Sequence, residues 1–384
     1  MDPQPVSTVD TRHAVATKSV NIASIEEFRE LFGGRLDEGQ RAEFTRNMPA
    51  DVDPRISGLR RLAEYVFGSR ELTPGDKEFA HALFPLKANV VSGDTVTISS
   101  DIVVGPGASP YVIDADTLVF DGGSLTVLST ALMINAGNLR VKAPGSRPYH
   151  IGIFGTKGRT GDTGSDGAPY SGPAQAGSDA SAPTPGICTG AGKGGNGSDG
   201  GKGNDGGIGS NGRDGLASMP ATIAIAAVEP ESETQLVIST ASGDGGDGGL
   251  GGKGGTGQSG GRGGKGCDSG CEGTDGGNGG AAGMGGNGGP GGTGGNGTAG
   301  YPISVSFPKG QRGMLQTIVA AAPPGQGGGG GIGGAAGSPG AAGTGGKHST
   351  NGQPGSSASA GNSGDTGSRG AQPGAPGNLD VKYT

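Results

Sequence analysis

The sequence predicts a mainly β protein built from a small N-terminal helical cap, a β-solenoid, and a polyglycine-II helix bundle interleaved with short β-strands. Three observations lead there. Glycine supplies 90 of 384 residues, yet only 13 of them lie in residues 1–150. Upstream of residue 145, apolar pairs recur at a fixed spacing of seven. Downstream, glycine keeps a period of three through long tracts. These divide the chain into a flexible arm at 1–21, a helical cap or docking unit at 22–90, a solenoid at 91–145 and a glycine-rich bundle at 146–384.

Residues 1–20 are polar and aperiodic, which makes the arm. Ser24 and Glu27 have capping-box spacing, and Ile25, Phe28, Leu31 and Phe32 share one helical face before Gly33-Gly34. A second amphipathic run covers Leu59–Phe67. A third follows Thr73-Pro74-Gly75-Asp76, with Phe79, Ala82, Leu83 and Phe84 at helical spacing.

From Asp94 the period changes to two. The pairs Tyr111/Ile113, Leu118/Phe120, Leu125/Val127, Leu132/Ile134 and Leu139/Val141 repeat every seven residues. Two inward side chains per short strand, three such strands to a coil of about 21 residues, describe a right-handed solenoid with Leu118, Leu125, Leu132 and Leu139 in its core. A heptad coiled coil fails because Asp121-Gly122-Gly123 and Asn135-Ala136-Gly137-Asn138 break helices and the apolar pairs alternate.

From Gly325 to Gly370 every third residue is glycine except Ser349 and Ala358. An extended helix with three residues per turn would then carry one bare face. Collagen needs imino acid at about 15–20%, and this chain has 25 prolines in 384 residues. A bundle within one chain fits better. Gly-Gly-x tracts, as in Gly245–Gly297, suit interior helices, and Gly-x-x, as in Gly352–Gly370, suits outer ones. A straight helix over 325–370 would run about 140 Å at 3.1 Å per residue, so that tract should fold back, at 347–351 or 356–360. Gly337, Gly340 and Gly343 are expected to face neighbouring backbones. Apolar strands return between tracts at 221–228, 235–239, 303–307, 315–320 and 379–383, with 229–233 and 308–313 as hairpin turns.

The tracts at 152–215, 243–300 and 325–377 resemble the polyglycine sandwich of the distal tail-fibre adhesins of T-even-type phages and, more distantly, glycine-rich antifreeze proteins of springtails. The resemblance implies a receptor-binding tip whose loops contact cell-surface protein or glycan, in an extracellular, cell-surface or virion-associated setting. Tyr170 and Tyr301, taken as exposed loop residues at tract ends, are its candidate ligand contacts. Ice binding is the alternative in another class, although mixed Lys, Asp, Asn and Arg at the x positions argue against a flat face of small residues.

Catalytic signals are weak. Asp114, Asp116 and Asp121 sit between rungs, where paired acids could serve a carbohydrate-active enzyme, but acids at such corners are ordinarily solvated. No catalytic residue and no cofactor is assigned. Gly194–Asp199 and Gly200–Asp205 copy the start of a calcium repeat, but Gly207 replaces its apolar anchor, so solvated turns are expected and no metal is assigned. Cys267 and Cys271 are read as a local disulfide or two free thiols, with Cys188 unpartnered. The net charge of −7 is spread along the chain, which leaves no basic footprint for nucleic acid. Ala221–Val228 is too short an apolar run to enter a membrane, and Met1-Asp2-Pro3-Gln4-Pro5 does not read as an export signal. A homo-oligomer would use the solenoid end or the N-terminal helices.

Overall fold

The computed structural model describes residues 16–48, 57–269 and 272–384. Among the described residues, twelve strands and four α-helices make a mainly β protein: β1 Ala16–Ile22, α1 Ile25–Gly33, α2 Glu38–Asn47, α3 Ser57–Phe67, α4 Pro74–Leu83, β2 Leu86–Ile98, β3 Ile102–Val104, β4 Tyr111–Phe120, β5 Leu125–Leu128, β6 Leu132–Val141, β7 Ile151–Phe154, β8 Ala221–Val228, β9 Leu236–Ala241, β10 Ile303–Phe307, β11 Leu315–Ala320 and β12 Leu379–Tyr383.

The strands form two sheets, in the orders β1-β2-β4-β6-β8-β10-β12 and β11-β9-β7-β5-β3. Every pairing is parallel except β1 with β2. The chain alternates between the sheets. Alternate side chains of each strand therefore point into one shared interior, where Leu118, Leu125, Leu132 and Leu139 are all 0% exposed. Apolar residues stack in columns from strand to strand, as in Leu132, Ala221 and Ile303.

The expected coil of three short strands is corrected by β4 and β6. Each carries two of the apolar pairs in one ten-residue strand, so a turn of the chain has two strands. The step from Tyr111 to its partner Leu132 is still 21 residues. Residues 229–233 and 308–313 are corners between the sheets, not hairpin turns, because β8 and β9, like β10 and β11, lie in different sheets. The sheets also continue past residue 145, since β8 to β12 extend them. Ile151 and Ile153 are buried, and Gly152 belongs to β7, where a Cβ would meet the Phe154 and Tyr149 rings.

Residues 16–21, assigned to the arm, pair with β2 from Ala16↔Ser92 to Asn21↔Lys87, and Ile22 continues the strand opposite Leu86; the rest of the assigned arm lies outside the described residues. The helices lie on the outer face of the first sheet, not over its end. Phe32, Leu62 and Val66 pack with Ala88, Val112 and Met133, and the Thr222 hydroxyl donates to the Phe32 carbonyl at 3.0 Å. Helix α2 is largely polar, which hid it from a search for apolar periodicity. Its start is fixed by a reciprocal capping box between Asp37 and Gln40.

Each glycine tract occupies a corner from the second sheet back to the first. The earlier corners are short, at 105–110 and 129–131. The later ones swell to 155–220, 242–302 and 321–378. Each tract folds back on itself, with backbone bonds between its leading and returning arms. In the second tract, Gly277, Gly280 and Gly283 donate to Gly264, Gly261 and Gln258, each at 2.8 Å. The same spacing of three joins neighbouring tracts. Gly158 and Gly161 in the first donate to Asp244 and Asp247 in the second, and Gly248 and Gly251 there donate to Gln326 and Gly329 in the third. The leading arms make one layer and the returning arms another. The second tract, dense in Gly-Gly-x, lies between the other two.

The third tract turns at 347–350, where His348 has φ 60. The second expected turn, 356–360, is instead part of the returning arm, because the Ser356 and Ser359 carbonyls accept from Ala282 and Gly285. Within this tract the bonds between arms run from Gly352, Gly355, Gly361, Gly364, Gly367 and Gly370 and pass over Ala358. A Cβ there keeps the backbones apart.

Candidate functional site

The three fold-back loops, 181–192, the described residues 267–269 and 272–273, and 346–350, meet at the end of the bundle away from the sheets. Loop 181–192 contains two tight turns. Thr184-Pro185-Gly186-Ile187 has Pro at the second place and Gly186 at φ +79, and Cys188-Thr189-Gly190-Ala191 has Gly190 at φ +82. These are the residues such turns require.

A disulfide joins Cys188 to Cys267. This overturns the local Cys267–Cys271 pairing and gives Cys188 its partner; Cys271 itself lies outside the described residues. The two cysteines are 79 residues apart, and neighbouring tracts are offset by similar steps, such as Gly248 to Gln326. That offset between repeats was the signal that could have paired them.

Polar bonds complete the tip. The Thr189 hydroxyl donates to Glu272 at 2.5 Å, and the Thr274 hydroxyl donates to the Gly192 carbonyl at 3.0 Å. Thr350 gives both its N–H (2.8 Å) and its hydroxyl (2.9 Å) to Asp275, which hold that carboxyl below the usual range. The Gly346 N–H reaches the Thr274 carbonyl at 3.0 Å, tying the third loop to the second. Pro183, Pro185, Ile187, Thr189, Lys347 and His348 remain exposed around this framework. Such a surface can present apolar, hydrogen-bonding and cationic groups in fixed positions without ordering loops first.

The two candidate tyrosines are not on this tip. Tyr170 is 46% exposed and sits midway along the leading arm of the first tract. There the bonding step from Gly167 to Ala174 takes seven residues against six in the opposing arm, so 168–173 bulges outward. Tyr301 is a correction: it is 9% exposed, packed at the base of the bundle beneath the helices, and burial raises its pKa. The chain rejoins the first sheet at that point, so the ring fills a junction.

Gly337, Gly340 and Gly343 lie where a Cβ would stand 2.2, 2.1 and 1.9 Å from the carbonyl oxygens of Gln258, Gly261 and Gly264. Asp114 accepts from the Asn135 amide, which Arg35 also bonds. Asp121 is paired with Lys142 at 3.0 Å. Asp114, Asp116 and Asp121 do not line the cavity at the base of the molecule.

The polar x residues hold a further element that sequence reasoning missed. Asp199 was read as part of a solvated turn, but it accepts the Ala281 N–H at 2.7 Å, while the following Gly200 donates to the Ala281 carbonyl. The same two-bond clamp is made by Asp205-Gly206 on Asn287, Asn287-Gly288 on Asn362, and Asp214-Gly215 on Asn296. The signal was the Asx-Gly dipeptide in the glycine phase. It pairs two backbone groups of the next tract with one short side chain and one N–H.

No helix among the described residues is long and apolar enough to cross a membrane. No family model, curated protein or solved structure matches the chain.

Proposed function

We propose that the chain is a non-enzymatic recognition protein: a two-sheet β-solenoid carries a polyglycine-II bundle, and the distal tip contacts a cell-surface protein or glycan. One observation carries this reading. Loops from three distant parts of the sequence meet at one end, two of them cross-linked there by Cys188–Cys267 and the third tied to the second by the Gly346 and Thr350 hydrogen bonds. Backbone bonding at every third residue, together with carbonyls that leave no room for a Cβ, supports polyglycine-II geometry for the arms. The sequence resemblance of the glycine tracts to phage tail-fibre adhesins implies such a stem and tip.

The test is binding of the full chain to a glycan array and to intact bacterial and animal cells, beside a variant carrying Ile187→Asp and His348→Gly. These exposed substitutions should leave the melting temperature within about 2 °C, as surface changes do. The reading expects the parent to bind and the variant to bind at least tenfold more weakly. Equal binding by both, or none by the parent, overturns it.

A further inference from the structure

A second site, independent of the tip, lies at the base. A cavity of about 570 Å³ opens where three parts of the chain converge. The helices supply Phe28, Leu62 and Phe84. The short corners 106–110 and 129–131 supply another wall, and the roots of the first two glycine tracts, including Met219 and Tyr301, close the third side. Leu83 and Leu216 also line it, at 41% and 52% exposure, so apolar surface continues to the solvent.

The volume falls within the roughly 300–1,000 Å³ of small-molecule sites. Walls on three sides suit a compact ligand better than a flat protein partner. The charge is also decided. Among the described residues, Arg60 is the one charged residue lining the cavity, and its guanidinium is engaged by Glu64 at 3.2 Å, a carboxylate that Arg70 shares at 3.4 Å, so it is held to the helices and not directed at a ligand's carboxylate or phosphate. An ionised ligand would lose its hydration in exchange for a surface that is almost wholly hydrocarbon. An uncharged one would lose little.

We infer that this cavity binds an uncharged, predominantly hydrocarbon small molecule, such as a long-chain alcohol or a neutral aromatic compound. The site lies where the glycine bundle joins the helices and sheets, so occupancy would brace that junction.

The test is a fluorescence titration of the full chain with the neutral probe N-phenyl-1-naphthylamine, followed by competition with 1-dodecanol and with dodecanoate. The expected result is saturable binding at one site per chain, displaced at least tenfold more effectively by the alcohol than by the carboxylate. Ala217→Phe should fill the cavity and weaken probe binding at least tenfold. Leu216→Arg places a charge at the exposed mouth without touching the interior, and it should do the same if Ala217→Phe fails to fold. Ala335→Phe, on an exposed arm, should change nothing. Absence of saturable binding overturns the inference, as does binding indifferent to Leu216→Arg or better competition by dodecanoate. None of these outcomes bears on cell-surface binding at the tip.

Discussion

The base and the glycine bundle are both ordered interiors, but they are filled by opposite means. In the base, Leu118, Leu125, Leu132 and Leu139 are fully buried, and side chains fill the space between two sheets. In the bundle, Gly337, Gly340 and Gly343 sit against carbonyls so closely that no side chain fits, and backbone bonds fill the space instead. Burial of apolar area stabilises the first and is largely missing from the second. The bundle therefore depends on satisfying its backbone groups, and glycine is selected there for what it lacks. One sequence rule cannot serve both regions: adding a methyl group is tolerable on an exposed strand position and disruptive on the bare face of an arm.

The largest effect should come from the base. Leu132→Asp would place an unpaired charge among Tyr111, Ala221 and their buried neighbours, at a cost on the order of 4 kcal/mol or more. Denaturant unfolding measures it, and an unchanged midpoint would mean that the column is not a core.

Next comes the bundle. Gly337, Gly340 and Gly343 each donate at 2.9 Å, to Gly283, Gly280 and Gly277. Changing all three to Ala removes three bonds worth about 1 kcal/mol each, so roughly 3 kcal/mol is expected, with strain in addition. Ser338→Ala and Thr344→Ala, on the exposed side of the same arm, should stay within about 0.5 kcal/mol. Equal effects from the two sets would remove the distinction between the faces.

A smaller effect belongs to the clamps. Asn287→Ala frees the Asn362 N–H and Asp205→Ala frees the Asn287 N–H, each now bonded at 3.0 and 2.6 Å. Water can reach both donors, so each change should lower the unfolding midpoint by less than the triple glycine variant does. A double-mutant cycle will show whether the row acts as a unit.

The smallest is a pH slope. His150 is buried; its Nδ1 accepts the Val237 N–H at 3.0 Å and its Nε2 faces the Lys142 carbonyl at 2.8 Å, a neutral tautomer bridging residues 142 and 237. Burial lowers its pKa below 6.5, outweighing the Lys142 carbonyl. Its contribution to stability is therefore complete above pH 6.5 and declines as pH falls below that value. His150→Gln should flatten the melting-temperature slope between pH 7 and 5. Below about pH 4 a separate loss is expected at Asp76. Burial alone would raise that carboxyl, but bonds from Arg61, Thr73 and Arg70 hold it far below the usual range.

Much of this contrast was legible in the residues themselves. The alternation of Leu118, Phe120, Leu125 and Val127 identified an interior, and the phase of Gly325–Gly370 identified a bare face. The spacing of seven did not reveal whether two apolar pairs share a strand, because a strand and a tight corner consume residues at the same rate. Strand β7 was hidden because Gly152 happens to keep the glycine phase, and Cys188–Cys267 because the pairing depends on how tracts stack. Tyr301 looked like a loop residue because it follows Gly300, but the surface it covers is made by helices more than 200 residues earlier.

Residue-resolved hydrogen exchange tests the central claim most directly. The bonding predicts slow amides at Gly328, Gly331, Gly334, Gly337, Gly340 and Gly343, with fast exchange at Gly329, Ala335 and Ala341 between them. In the middle tract, consecutive glycines such as Gly248-Gly249 and Gly251-Gly252 should both be slow, because each donates to a different arm. Protection at one residue in three on the outer arm and two in three on the middle one is what the account requires. Uniformly fast exchange across 325–346, or protection at alternate residues as in a strand, would contradict it.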